Sequence, residues 1–154
     1  MRIAFVAAEF TPLAKTGGLA DVSSALTRFL HQRGADLRPF MPLYARIDRA
    51  ALGLVAVDFL RDMPITLGPH RYVIDVLQGK LPGSGAPLYF IDCPVLYDRP
   101  GIYSRDPDEH LRFLVLTRAA IECCQRMGFA PDIFHCNDWH TAFAPLFLKS
   151  VFSW

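Results

Sequence analysis

The sequence predicts an α/β fold with a mostly parallel sheet and a β-rich insertion in its middle third, on the strength of three observations. Residues 2–8 hold an apolar run (Ile3, Ala4, Phe5, Val6, Ala7), far too short to cross a membrane and typical of a strand covered on both faces. Leu19, Val22, Leu26 and Phe29, with Leu30 beside them, recur at spacings of three and four, the pattern of a buried helical stripe. Near the other end a long amphipathic run again adjoins a short apolar one at 133–136, repeating the alternation of helix and strand.

Between the first strand and the first helix lies Lys15-Thr16-Gly17-Gly18-Leu19-Ala20-Asp21. The first N–H groups of a helix have no partner within it, and the helix dipole favours negative charge there, so such a junction can bind an anion. Gly17 and Gly18 lack the Cβ atoms that would hold a phosphate away from the backbone, and Lys15 adds a mobile positive charge. A phosphate-bearing ligand is one reading. The other is that the glycines make only a tight turn and Lys15 is solvated.

Gly34 is placed to cap the first helix, and 36–41 reads as the second strand of a βαβ unit, with Pro39 favouring an edge or a strand end. Pro42-Leu43-Tyr44 closes it. Short runs rich in β-branched and aromatic residues follow at 54–60, 72–77 and 88–91, separated by Gly68-Pro69 and by a loop of turn formers at 82–87, so this third is expected to be partly antiparallel. The segment from Cys93 to Asp108 is polar and turn-rich and contains Tyr97, Arg99, Gly101 and Tyr103; it suits either a loop over a site or a plain surface connection.

A second helix is predicted over 108–127. Asp108 and Glu109 open it, Gly128 closes it, and Leu111, Leu114, Val115, Ala119, Ala120, Cys123 and Met127 form its apolar face. After Ala130-Pro131-Asp132, residues 133–136 read as another parallel strand, ending in Asn137-Asp138-Trp139-His140-Thr141. A final apolar helix follows through Ala144, Leu146, Phe147 and Leu148.

At 154 residues with 52% hydrophobic content, one domain with a full core is expected. A net charge of +1 with scattered Lys and Arg provides no basic field for nucleic acid. Glu9 interrupts the first apolar run before a signal-peptide core can form, and no stretch is long enough to span a membrane. The four cysteines, at 93, 123, 124 and 136, have neither zinc-site spacing nor the density of a disulfide scaffold, which points to a reducing, cytoplasmic setting.

The second junction puts an acid, an indole and an imidazole at the carboxyl end of a strand, the edge of an α/β sheet where ligands usually bind. His135 and His140 make a poor metal pair, being five apart across a change from strand to loop with no third ligand near. His140 is either a site residue or a helix-start residue bonded to backbone, with Trp139 as core. GxSxG, GxxxxGK[ST] and GxGxxG are all absent, which disfavours a serine hydrolase, a P-loop ATPase and a dinucleotide oxidoreductase.

Taken together, Lys15-Thr16-Gly17-Gly18-Leu19-Ala20-Asp21-Val22 and His135-Cys136-Asn137-Asp138-Trp139-His140-Thr141 resemble the bacterial glycogen synthase and plant starch synthase family. Ala8-Glu9, Met41-Pro42-Leu43-Tyr44 and Leu96-Tyr97-Asp98-Arg99-Pro100-Gly101-Ile102-Tyr103 support the match, in the family's order over nearly the whole chain. The resemblance implies the Rossmann-like amino-terminal half of a two-domain (GT-B type) glycosyltransferase. That enzyme moves glucose from ADP-glucose to the non-reducing end of an α-1,4-glucan with retention at the anomeric carbon, using no metal and no cofactor.

By that likeness Lys15, Gly17 and Gly18 would face the diphosphate, and Asp21 would contact the donor or hold the loop. Asp138 and His140 would lie beside the transferred glucose and the acceptor, with Trp139 on the substrate, while Glu9 and Tyr97 would line the same cleft. Asp138, His140 and Glu9 are the candidate catalytic residues. The family pattern continues beyond Trp154 into a further strand and a second, nucleotide-sugar domain. Residues 1–154 are therefore expected to be an incomplete amino-terminal domain, inactive alone. The alternative is a noncatalytic glucan- or protein-binding module, with Phe147, Leu148, Val151, Phe152 and Trp154 as an exposed apolar patch.

Overall fold

The computed structural model describes residues 1–152. Its strands are β1 (Arg2–Val6), β2 (Asp36–Pro42), β3 (Val55–Ala56), β4 (Met63–Leu67), β5 (His70–Lys80), β6 (Pro87–Asp92) and β7 (Ile133–Cys136). Its helices are α1 (Gly18–Gln32), α2 (Pro94–Tyr97), α3 (Glu109–Arg126) and α4 (Ala144–Ser150), with 3-10 turns at Asp58–Leu60 and Trp139–Thr141. The expected α/β architecture is present. The sheet runs in the order β3-β5-β6-β2-β1-β7, with β4 paired to β5.

β6, β2, β1 and β7 are mutually parallel, whereas β3, β4 and β5 join through antiparallel ladders. The β-rich middle third is thus no separate unit but extends the sheet beyond β6. β1 lies between β2 and β7, and Ile3 through Phe10 are all buried, as a parallel strand with both faces covered requires.

Pro39 lies on an inner strand, not at the edge its missing N–H favours. Phe40 O accepts from Ala7 N at 3.2 Å, so residue 40 faces β1 and its neighbour Pro39 faces β6. The ladder to β6 begins only at Phe40, so no ladder donor is lost. Over 54–60 only Val55–Ala56 is strand, and β4, interrupted in sequence by Pro64, emerges as a hairpin arm whose turn places Gly68 at φ +57°.

The connection from β1 to β2 runs one way along the sheet, and that from β6 to β7 runs back the other way. Right-handed crossovers in opposite senses lay α1 and α3 on opposite faces and make the gap between β1 and β7 the topological switch point. α3 is packed against β1, β2, β4 and β6. α1 meets the sheet differently from the expected stripe: its buried residues are Ala20, Ser23, Ser24 and Thr27, while Val22 and Phe29 are 57% and 51% exposed. Small side chains let the helix lie close, which turns Val22 and Phe29 outward while Leu26 still packs against the core. Phe147 is buried and Leu148 half-buried, so of the expected terminal patch only Val151 is clearly open, and Trp154 lies outside the described residues. No helix among the described residues is long and apolar enough to cross a membrane.

Candidate active site

Two junctions meet at the switch point, one at the end of β1 and one at the end of β7. At the first, Glu9 is only 2% exposed. Its carboxylate accepts the Thr16 N–H and the Thr16 hydroxyl, each at 2.8 Å, and a short hydrogen bond from the Tyr103 hydroxyl. Burial pushes its pKa up, yet the bonds from Tyr103, Thr16 and the Gly17 amide outweigh this and hold it below the usual carboxylate range. A carboxylate so fully engaged fastens the loop that precedes α1.

Lys15 Nζ donates to both oxygens of Asp21, at 2.8 and 2.7 Å, and the Thr11 hydroxyl donates to Asp21 Oδ1 at 2.8 Å. The bond from Lys15 lowers the Asp21 pKa. Asp21 therefore holds the loop, and both partners stay open to solvent. Gly17 caps α1 with an extended backbone (φ −156°, ψ −156°) and no capping side chain, and a Cβ at Gly17 or Gly18 would meet nothing within 4 Å. Neither glycine has a positive φ, so a tight turn does not require them. They leave open space over the unpartnered amides of a 15-residue helix, beside a cation.

At the second junction Asn137 fastens β7 to β1. Its Nδ2 donates to Val6 O at 2.9 Å, and its own carbonyl accepts from the Thr141 hydroxyl at 3.1 Å. Asp138 is exposed and has φ 61°, ψ −174°, a backbone region otherwise left to glycine; its carboxylate accepts the Trp139 N–H at 2.6 Å. Trp139 is 52% exposed. His140 is 4% exposed, and among the described residues neither of its ring nitrogens has a partner. Its ring stacks on Tyr103 at 5.1 Å and meets Phe113 edge-on at 4.6 Å. Burial lowers its pKa, against the nearby Asp138, Glu9 and Glu109 carboxylates. An apolar cavity of about 210 Å³ beside it is lined by His110, Phe113, Leu114, Trp139 and Phe143.

One expected site residue is elsewhere. Tyr97 is fully buried, packs edge-on against Tyr44, and donates its hydroxyl to Arg112 O at 2.7 Å. Tyr103 takes its place: it bonds to Glu9, stacks on His140, and so joins the two junctions. Burial and the Glu9 bond push its pKa far up, keeping it a donor. The signal was present in Pro94-Val95-Leu96-Tyr97, a helix start with proline in its first turn and an apolar body, which marks Tyr97 as packing and leaves Tyr103 in the polar stretch.

His135 stacks on Phe5 at 4.7 Å, so the two histidines belong to different clusters. Among the described residues no three His, Cys, Asp or Glu side chains are grouped to hold a metal. Cys93, Cys123 and Cys124 are free and buried, and burial pushes the Cys93 thiol up to about 11 and that of Cys124 up to about 12, so they act in packing. The arrangement sets a helix start with a nearby cation at one junction and, at the other, an exposed Asp138 carboxylate beside a buried imidazole.

The chain is similar to known proteins. Residues 2–154 match the family described as starch synthase catalytic domain. Glycogen synthase 1 of Geobacter sulfurreducens is 42% identical over 156 residues, and glycogen synthase of Aeromonas hydrophila 41% over 154; these alignments cover 99% and 97% of this chain. The catalytic domain of starch synthase IV from Arabidopsis thaliana, solved bound to ADP and acarbose, superposes with a TM-score of 0.87 at 29% identity, over 99% of this chain and 31% of that one. The chain spans 31% of the length of the two glycogen synthases. With a family match over all but its first residue, and the same fold in a solved member, this chain belongs to the starch synthase catalytic domain family.

Proposed function

We propose that residues 1–154 form the amino-terminal part of a two-domain, retaining glycosyltransferase of the cytoplasm that moves glucose from ADP-glucose to the non-reducing end of an α-1,4-glucan. The observation that carries this reading is Tyr103, whose bond to Glu9 and stack on His140 tie the helix start at Gly17 to the junction after β7. The Arabidopsis relative, bound to ADP and acarbose, supports the choice of ligands.

In this reading Lys15 and the open backbone at Gly17 and Gly18 face the diphosphate, with the Gly17 amide itself held by Glu9, and stabilise the charge that grows as ADP departs. Asp21 aims Lys15 before the donor arrives. Asp138 and His140 meet hydroxyls of the transferred glucose and the acceptor, and His140, kept neutral by burial, has one ring nitrogen to donate and one to accept. Trp139 offers a half-exposed face to a sugar ring. Tyr103 and Glu9 are positioning groups. Intact Lys15, Asp138 and His140 support an enzyme part over a noncatalytic module.

Calorimetry on the 154-residue chain tests this. ADP-glucose and a maltooligosaccharide are expected to bind weakly, with Lys15→Ala weakening the first and His140→Ala the second. No binding of either by a folded chain would overturn the assignment of a half-site to these residues. The chain by itself is expected to transfer no glucose, because one side of a cleft can neither close on the donor nor exclude water. Turnover in a glucose-incorporation assay would refute that.

A further inference from the structure

Tyr103 sits in a stretch with no regular structure, between α2 and α3, yet it must hold a bond to Glu9 at one end and a stack on His140 at the other. What fixes it is the first turn of α3. Arg112 is completely buried; its Nε donates to Leu96 O at 2.7 Å and its Nη1 to Ile102 O at 2.9 Å and to Glu109 Oε2 at 2.9 Å. Glu109 in turn accepts the Ser104 N–H at 3.1 Å and the Ser104 hydroxyl at 2.7 Å. The residues immediately before and after Tyr103 are thus both bonded to one ion pair. Arg99, bonded through both guanidinium nitrogens to Asp108, closes the base of the same loop. The loop also folds tightly on itself, since a Cβ at Gly101 would lie 2.7 Å from Tyr103 O.

A guanidinium taken wholly out of water, with one nitrogen still unpartnered, is a costly way to fill a core where an apolar side chain of similar volume is often at least as stabilising. What the ion pair adds is direction: one guanidinium donor, to Ile102 O, and two carboxylate acceptors, both taken by Ser104, are spent at set angles on the neighbours of one tyrosine.

We propose that Arg112 and Glu109 are positioning residues that make Tyr103 a rigid strut, setting the Thr16-Gly17-Gly18 loop through Glu9 and the His140 ring through stacking. The catalytic meaning of the strut rests on the function proposed above, but its mechanics do not. The side-chain carboxyl carbon of Glu9, followed by NMR against pH in the 154-residue chain, reports the strut without any ligand. Tyr103→Phe is expected to raise the Glu9 midpoint by about one pH unit, the value of one lost hydrogen bond to the charged form.

Glu109→Ala is expected to raise it by at least half as much, and to add nothing in the Tyr103→Phe background. Glu109→Gln, which keeps an acceptor for Ser104 but loses the charge, is expected to bring the midpoint back to the wild-type value or slightly below it. The sign is decisive. Removing a negative charge and freeing a positive one can act on Glu9 through space only by lowering its midpoint, so a rise must pass through Tyr103. A folded Glu109→Ala chain whose Glu9 midpoint stays put or falls overturns the proposal. If that variant does not fold, Ser104→Ala in the half-buried loop carries the test, with a smaller rise expected and no rise overturning it. Loss of ADP-glucose binding with the coupling intact would count against the function alone.

Discussion

The junction after β1 and the junction after β7 occupy equivalent places in the sheet, yet they differ in how far the protein satisfies itself. At the first, every side-chain group is answered: Glu9 by Thr16 and Tyr103, Asp21 by Lys15 and Thr11. At the second, Asp138 holds a backbone conformation that L-residues rarely adopt, and both nitrogens of the buried His140 have no partner. The first site satisfies its side chains internally before a ligand arrives. The second keeps its side chains in reserve, at a cost in stability. Preorganisation suits the charged end of a ligand, where reorganisation would waste electrostatic stabilisation, and reserve capacity suits hydroxyls that must be bonded as they come.

Four substitutions break or sharpen this contrast. Glu9→Ala has the largest expected effect: two hydroxyls and an amide lose their acceptor, for a loss of about 3 kcal/mol in thermal or denaturant unfolding. Because the folded-state pKa of Glu9 is depressed, its contribution is present above an unfolded pKa of about 4.3 and is lost as pH falls through the lower folded value. Glu9→Ala should remove that acid-sensitive part as well.

His140 comes next. Its folded pKa is also depressed, so below an unfolded value of about 6.5 the unfolded chain binds a proton that the native state refuses. Stability should fall by up to about 1.4 kcal/mol per pH unit until the folded pKa is reached, and His140→Phe should flatten that slope. A slope unchanged in the variant would show that the unsatisfied imidazole is not the cause.

Asp138→Gly relieves the backbone and should stabilise the chain by about 1 kcal/mol while weakening glucan binding, the signature of strain kept for function. Lys15→Ala should change stability least, by less than about 0.5 kcal/mol, since the pair with Asp21 is open to solvent, yet it should lower ADP-glucose affinity.

Local chemistry was enough to place α1, α3, the parallel strands and both junctions, because strand and helix periods, caps and turn residues act over a few neighbours. It was not enough to orient them. The apolar stripe of α1 marks a helix correctly, but close packing turned Ala20, Ser23, Ser24 and Thr27 inward in place of Val22 and Phe29. Pro39 carries a local signal for an edge, and only the start of the ladder to β6 makes it harmless on an inner strand.

The site divides in the same way. By itself the sequence determined that Lys15, Gly17 and Gly18 stand at a helix start and that Asp138 and His140 stand at a strand end, since each place follows from residues within one turn or one strand. Only the tertiary structure decided that Tyr103 and not Tyr97 joins them, that Glu9 positions the loop, and that Asp21 holds Lys15. The bond from Tyr103 to Glu9 spans 94 residues, and the neighbours of Tyr103 are held by buried Arg112 and half-buried Glu109, through contacts no local pattern encodes.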